Sequence, residues 1–193
     1  MTTRNRGREW RNKLRSAALD AYGRACACCG ETIERFLTID HAANDGNVHR
    51  QRLGGSSSYV NRWLRDNEYP EGFQTLCSNC NAGRHVNGGE CPHVAPVKEP
   101  RTKGQRSDRK LKTAVINAYG GRCACCEESL LPLLCIDHIG GGGIQHRKSL
   151  GVSGGAGFNR WLRDQGFPSG FQVLCWNCND GKSWNGGTCP HLG

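Results

Sequence analysis

The sequence predicts an α+β chain of two tandem small modules, each with an N-terminal helix, a short β-hairpin and short helices, and three observations predict it. The first is a repeat: Phe73 to Asn81 reads FQTLCSNCN and returns as Phe171 to Asn179, FQVLCWNCN. Around it, Cys26, Cys28, Cys29, Asp40, His41, His49 and Arg50 recur in order as Cys123, Cys125, Cys126, Asp137, His138, His146 and Arg147. The second is a pattern, seen in both repeats, of helical apolar spacing followed by short apolar runs bounded by turn residues. The third is a pair of Cys-x-x-Cys clamps per repeat, among 13 cysteines in 193 residues. A module this small buries little core and needs a staple, which the clamps provide.

The repeat sets the boundaries: a basic disordered arm at 1–8, a first module at 9–93, a basic linker at 94–107 and a second module at 108–193. From Glu9 to Tyr22, Trp10, Leu14, Ala17, Ala18 and Ala21 mark an amphipathic helix stopped by Gly23. Its counterpart runs from Asp108 to Tyr119, with Ser107 as N-cap and Gly120-Gly121 ending it. Cys26 to Cys29 form a tight turn. Phe36 to Ile39 then read as a strand entering Asp40-His41, as Leu133 to Ile136 enter Asp137-His138. The polar, Gly-rich stretches that follow, around Asn44 to Asn47 and from Gly140 to Gly143 and Gly151 to Gly157, read as mobile loop. Asn61 to Asp66 and Asn159 to Asp164 then read as short helices with Trp63, Leu64, Trp161 and Leu162 facing in. Turns ending in Gly72 and Gly170 deliver the chain into the two clamp strands.

Four cysteines per module, Cys26, Cys29, Cys77 and Cys80, then Cys123, Cys126, Cys175 and Cys178, form the thiolate set that structural Zn²⁺ prefers, one ion per module. The alternative is disulfides, which CxxC spacing and an N-terminus without an apolar signal segment disfavour; a reducing, cytoplasmic compartment is expected. Cys28, Cys91 and His93, with Cys125, Cys189 and His191, are left over, and could be a second metal site or a packed turn. Cys135 reads as buried filler, and Gly181-Lys182-Ser183 as a chance likeness to a phosphate loop. Asp40 with Asn81, and Asp137 with Asn179, offer hard oxygen ligands for Mg²⁺ or Mn²⁺, one ion per module. His41 and His138 beside them have the chemistry of a general base.

The order Cys-x-x-Cys, Asp-His after a strand, then Cys-x-x-Cys-Asn resembles the HNH nucleases of ββα-metal fold, most closely the zinc-containing endonuclease VII-like branch found in phages. The resemblance covers nearly all of each module. It implies that Asp40, Asn81, Asp137 and Asn179 hold a catalytic divalent ion, that His41 and His138 are general bases, and that the four cysteines hold zinc. The sequence departs from that branch where Ala43 and Gly140 replace a further histidine. His49-Arg50 and His146-Arg147 are expected instead to contact the phosphate or the metal.

The expectation is a metal-dependent endonuclease acting on duplex or branched DNA as a monomeric pseudo-dimer with two sites; RNA stays open as a substrate. The alternatives are a zinc-stabilised nucleic-acid-binding protein without catalysis, and a homing or nicking nuclease with one active module. A formal charge of +9 suits a polyanionic partner. Arg8, Arg11, Arg15, Arg62, Arg65, Arg160 and Arg163 are expected to grip phosphates. A solvated basic tail is the plainer reading of the N-terminal run.

Overall fold

Helix α1 (Thr3–Tyr22) starts well before the predicted position, because no proline precedes Glu9 and arginine is a good helix former. The segment expected to be a disordered arm is therefore helical from residue 3; residues 1 and 2 lie outside the described residues. The structure, a computed structural model, describes residues 3–54, 57–152 and 154–192, with side chains from residue 6 in α1. Residue 153, within the second Gly-rich stretch, is also outside them. By its internal contacts the chain divides into two units, Met1–Asn81 and Ala82–Gly193. No helix among the described residues is long and apolar enough to cross a membrane.

In the first unit, α1 is followed by the cysteine turn, in which Cys26 N–H donates to Glu31 O and Gly30 N–H to Cys26 O. Strand β1 (Leu37–His41) then pairs antiparallel with β2 (Phe73–Cys77), with His41 opposite Phe73, Asp40 opposite Gln74 and Leu37 opposite Cys77. These strands are not a tight hairpin: residues 42–72 separate them. Ala27 N–H donates to Thr75 O, which seats the cysteine turn on the second strand. Helix α3 (Ser57–Asp66) packs on α1 through Ala18, Val60 and Leu64, rimmed by Tyr22, Ile39, Trp63 and Phe73. With Leu14, Leu19, Phe36, Leu37 and Leu76 also buried, the unit's core is still modest, and a metal clamp would hold the sheet to the turn. Tyr22 O–H donates to Pro70 O at 2.8 Å, fixing the turn into β2.

The Gly-rich stretch expected to be a loop contains a helix, α2 (Gly46–Arg52). Its first residue explains the glycine: a Cβ on Gly46 would lie 2.7 Å from His41 Nδ1, so only glycine lets the backbone come this close. Helix α4 (Ser78–Val86) begins directly after β2, and the division between the units falls within it.

In the second unit, α5 (Lys103–Ala118) begins inside the segment expected to be linker, five residues before the predicted start at Asp108. Thr102, not Ser107, caps it: Thr102 Oγ1 accepts from Gln105 N–H at 3.1 Å, and Gln105 Oε1 accepts from Thr102 N–H. The buried Asn87 holds the approach, donating to Glu90 O and Pro96 O and accepting from Lys98 N–H at 2.7 Å. Strand β3 (Leu134–His138) pairs antiparallel with β4 (Phe171–Cys175) in the register of the first sheet: His138 opposite Phe171, Asp137 opposite Gln172. Between them lie α6 (Gly143–Ser149), again in an expected loop, and α7 (Gly155–Asp164); α8 (Trp176–Trp184) follows β4. The cluster of Val115, Phe158 and Leu162 is the counterpart of Ala18, Val60 and Leu64.

Candidate functional site

Each sheet carries a thiol clamp at one end. The second Cys-x-x-Cys pair straddles a strand-to-helix junction: Cys178 N–H donates to Cys175 Sγ at 3.5 Å, as Cys80 N–H does to Cys77 Sγ at 3.4 Å. One sulfur thus caps the helix while the other sits on its first turn. The first pair arrives on the turn seated on the strand. The ligand atoms of Cys26, Cys29, Cys77 and Cys80 lie within 4.8 Å of one another, as do those of Cys123, Cys126, Cys175 and Cys178. The sulfurs of Cys29 and Cys77 are 3.7 Å apart and those of Cys126 and Cys175 are 3.6 Å apart. A disulfide needs about 2.05 Å. Four thiolates at about 2.3 Å around one Zn²⁺ have tetrahedral edges of about 3.8 Å, close to these separations.

The sulfurs divide their charge unevenly. Hydrogen bonds from Cys77 and Cys80 hold the Cys26 thiol far below the ordinary range, while bonding to Cys26 pushes Cys77 up to about 12. In the second set Cys123 and Cys126 both lie below the ordinary range, while bonding to them holds Cys175 and Cys178 above it; a divalent ion would replace the remaining protons. Both sets fit structural zinc.

Adjacent strand residues point to opposite faces, and the two ends Asp40-His41 and Asp137-His138 follow that rule. The imidazoles turn into an aromatic box. His41, 6% exposed, lies 4.5 Å from the Phe73 ring, and His49 lies 4.5 Å from Trp63. His41 Nε2 and His49 Nδ1 are 2.7 Å apart, a hydrogen bond in which one nitrogen donates and the other accepts. In the second unit His138 Nε2 and His146 Nδ1 are 2.8 Å apart, with Phe158, Trp161 and Phe171 around them. Helices α2 and α6, unforeseen in the sequence, bring the second imidazole to the first. Burial, above all, holds His41 and His138 below the ordinary histidine range, helped by the neighbouring histidines and Arg50 or Arg147. Both are therefore neutral at pH 7.

The carboxylates turn the other way. Gln74 Nε2 donates to Asp40 Oδ2 at 3.4 Å, and Gln172 Nε2 donates to Asp137 Oδ2 at 2.7 Å across the paired strands. In the second unit Lys182, on α8, places its ammonium 2.6 Å from Asp137 Oδ2, 3.0 Å from His138 O and 3.1 Å from Ile139 O. Three oxygens thus converge on one point that favours a cation, and the chain's own ammonium is there. A divalent ion at Asp137 would displace it. Asp137, His138, Arg147, Asn179 and Lys182 all line one open cleft of about 1380 Å³ within this unit. In the first unit Asn81 follows Cys80 on α4 and is half-buried, and Arg50 is exposed.

The arginines proposed from sequence for phosphate contacts divide into three groups. Arg8, Arg11 and Arg160 are exposed. Arg62, Arg65 and Arg163 are exposed but paired: Arg62 lies 3.5 Å from Asp66 Oδ2, Arg65 2.6 Å from Asp66 Oδ1 and Arg163 2.7 Å from Asp164 Oδ1. Arg65 also stands 5.9 Å over the Trp10 ring. Arg15 departs from expectation, because its guanidinium bonds to Glu34 O and to Leu37 O at 2.7 Å and ties α1 to the start of β1. Cys135, expected to be buried filler, is only half-buried and lines the cleft, its Sγ on Leu174 O and its thiol pushed up to about 12 by burial. Trp176 packs, with Nε1 3.4 Å from Pro132 O.

Sequence reasoning missed Gln74, Gln172 and Lys182. The two glutamines were findable by laying the strands antiparallel from the His-Phe pair; Lys182 carried no periodic signal. No family model, no curated protein and no solved structure matches the chain.

Proposed function

We propose that the chain is a metal-dependent endonuclease that hydrolyses DNA phosphodiester bonds, with two zinc-stabilised ββα-metal sites of HNH type acting as a pseudo-dimer in a reducing cytoplasm. One observation carries the reading. At the end of the first strand of each sheet a neutral imidazole is bonded Nε2 to Nδ1 by a second imidazole, with an arginine next in sequence. A histidine with a purely structural role does not need a second, half-buried imidazole to hold it.

His138 acts as the base. With Nε2–H donated to His146 Nδ1, its Nδ1 carries the lone pair, on the side where Gly143 has no side chain to cover it. His138 Nδ1 accepts a proton from the attacking water, and the bond to His146 fixes the tautomer and spreads the charge. Burial then favours release of the proton, which resets the base. Arg147, on the cleft wall, orients the phosphate. A divalent ion held by Asp137 and Asn179 would supply neutralisation of the departing oxygen. His41, His49, Arg50, Asp40 and Asn81 take the same roles in the first unit. Arg8, Arg11 and Arg160 hold backbone phosphates, which position without specifying sequence.

The test is a supercoiled plasmid incubated with Mg²⁺ or Mn²⁺, or with neither ion. Metal-dependent cutting by the wild type, abolished in the His41→Ala/His138→Ala double variant, supports the proposal. Gel shift without cutting of plasmid, branched DNA or RNA under any metal refutes it. A second reading, in which the second unit binds nucleic acid without cutting, is favoured by Lys182 on Asp137. It predicts that His138→Ala alone leaves cutting unchanged.

A further inference from the structure

The second unit holds a further group of ligands beside its four-cysteine clamp. The ligand atoms of Cys125, Cys178, Cys189 and His191 lie within 4.8 Å of one another, and Cys178 belongs to both sets. Cys125 and Cys126 are consecutive in the cysteine turn and serve different sets, so the turn presents one sulfur to each side. The Cys189-Pro190-His191 segment closes back onto α8 through a short 3-10 turn (Pro190–Leu192).

Three sulfurs surround one imidazole nitrogen. His191 Nδ1 is 3.4 Å from Cys178 Sγ, 3.7 Å from Cys189 Sγ and 3.9 Å from Cys125 Sγ. A ring nitrogen has either one N–H or one lone pair, so it cannot bond all three. Their common distance is that of ligands sharing a central ion: Zn–S of about 2.3 Å and Zn–N of about 2.0–2.1 Å give a tetrahedral S···N edge of about 3.6 Å.

We propose that the second unit binds two zinc ions as one cluster, bridged by the Cys178 thiolate. One ion takes Cys123, Cys126, Cys175 and Cys178; the other takes Cys125, Cys178, Cys189 and His191. The shared sulfur lets six thiolates and one imidazole complete two four-coordinate sites. The cluster fastens the end of the chain to the helix that carries Asn179 and Lys182. In the sequence repeat His93 stands where His191 does. His93 already has the partner such a ligand uses: its Nδ1 lies 3.6 Å from Cys91 Sγ and its Nε2 3.1 Å from Glu128 Oε2, a carboxylate that orients the ring. The cluster is independent of whether the chain cuts DNA.

Native mass spectrometry of the full chain counts the ions. The expected result is one zinc ion fewer in His191→Ala than in the wild type, and two fewer in Cys178→Ser. His191 is exposed, so its removal spares the core. A count unchanged by His191→Ala overturns the second site, and a loss of only one ion in Cys178→Ser overturns the bridge. Replacing zinc with spin-active cadmium gives a readout of the bridge that does not rely on the cysteine variant. Scalar coupling between two cadmium resonances, lost in His191→Ala, is expected; two uncoupled resonances from this unit would contradict a shared thiolate.

Discussion

Gly143→Ala is a sensitive probe of how closely the base is seated. In the first turn of a helix this change ordinarily stabilises, since glycine costs about 0.5–1 kcal/mol relative to alanine. Gly143 does not have the positive φ that would make alanine strained. Its Cβ would, however, stand 2.7 Å from His138 Nδ1 and 3.1 Å from Cε1. These are ring atoms, and the ring cannot swing aside: Phe158 stacks on it at 5.3 Å, Phe171 lies at 4.7 Å and His146 bonds its far nitrogen. Overpacking of this kind costs about 1–3 kcal/mol. The clash exceeds the propensity gain, so a net loss of about 1 kcal/mol is expected in thermal or urea unfolding. Gly155→Ala is the control. Gly155 also opens a helix without positive φ, but a Cβ there meets nothing within 4 Å, so that variant should equal or exceed the wild type. If Gly143→Ala proves as stable as Gly155→Ala, the packing of α6 on the imidazole is wrong, and with it the seating of the base.

Lys182→Met should leave Asp137, whose side chain is 11% exposed, with the Gln172 amide but without its ammonium. A loss of about 1.5–3 kcal/mol is expected without Mg²⁺, recovered in melts at saturating Mg²⁺ as the ion takes the vacated point. Stability should also depend on pH in a defined window. The folded state holds His41 and His138 below the unfolded value of about 6.5, so the unfolded chain binds more protons there. Stability is therefore full above about pH 6.5, falls as the pH drops through the folded-state values and then levels; urea midpoints across this range check it, and the acid limb of any cleavage rate should lie below the same pH. Arg15→Ala should cost about 1–2 kcal/mol in unfolding with no change in the salt dependence of DNA binding. Arg8→Ala and Arg11→Ala should do the reverse, lowering the salt slope at constant midpoint.

The residues that were legible in sequence are those whose signal is local. Cys-x-x-Cys marks a clamp wherever it stands, and the runs into His41 and His138 alternate as strands do. The stripe in α3 and α7 shows Leu64 and Leu162 turned inward, both fully buried. What was illegible depends on tertiary contact. Helices α2 and α6 are seven residues each, polar and started by glycine, so propensity alone argues against them; their support is the packing of Gly46 and Gly143 on an imidazole. Without those helices the spacing from His41 to His49 carries no contact. Arg15 looked like its basic neighbours because composition does not say which face of α1 meets Glu34. The start of α5 was readable, since Thr102 and Gln105 spell a capping box, but the prolines before it drew the boundary too late.

The two-site claim is tested most directly by the topology of plasmid left by His138→Ala. If both units cut, the wild type with Mg²⁺ should convert supercoiled DNA to linear, and His138→Ala should stop at nicked circles. Linear product formed at the wild-type rate by His138→Ala would contradict a working base in the second unit.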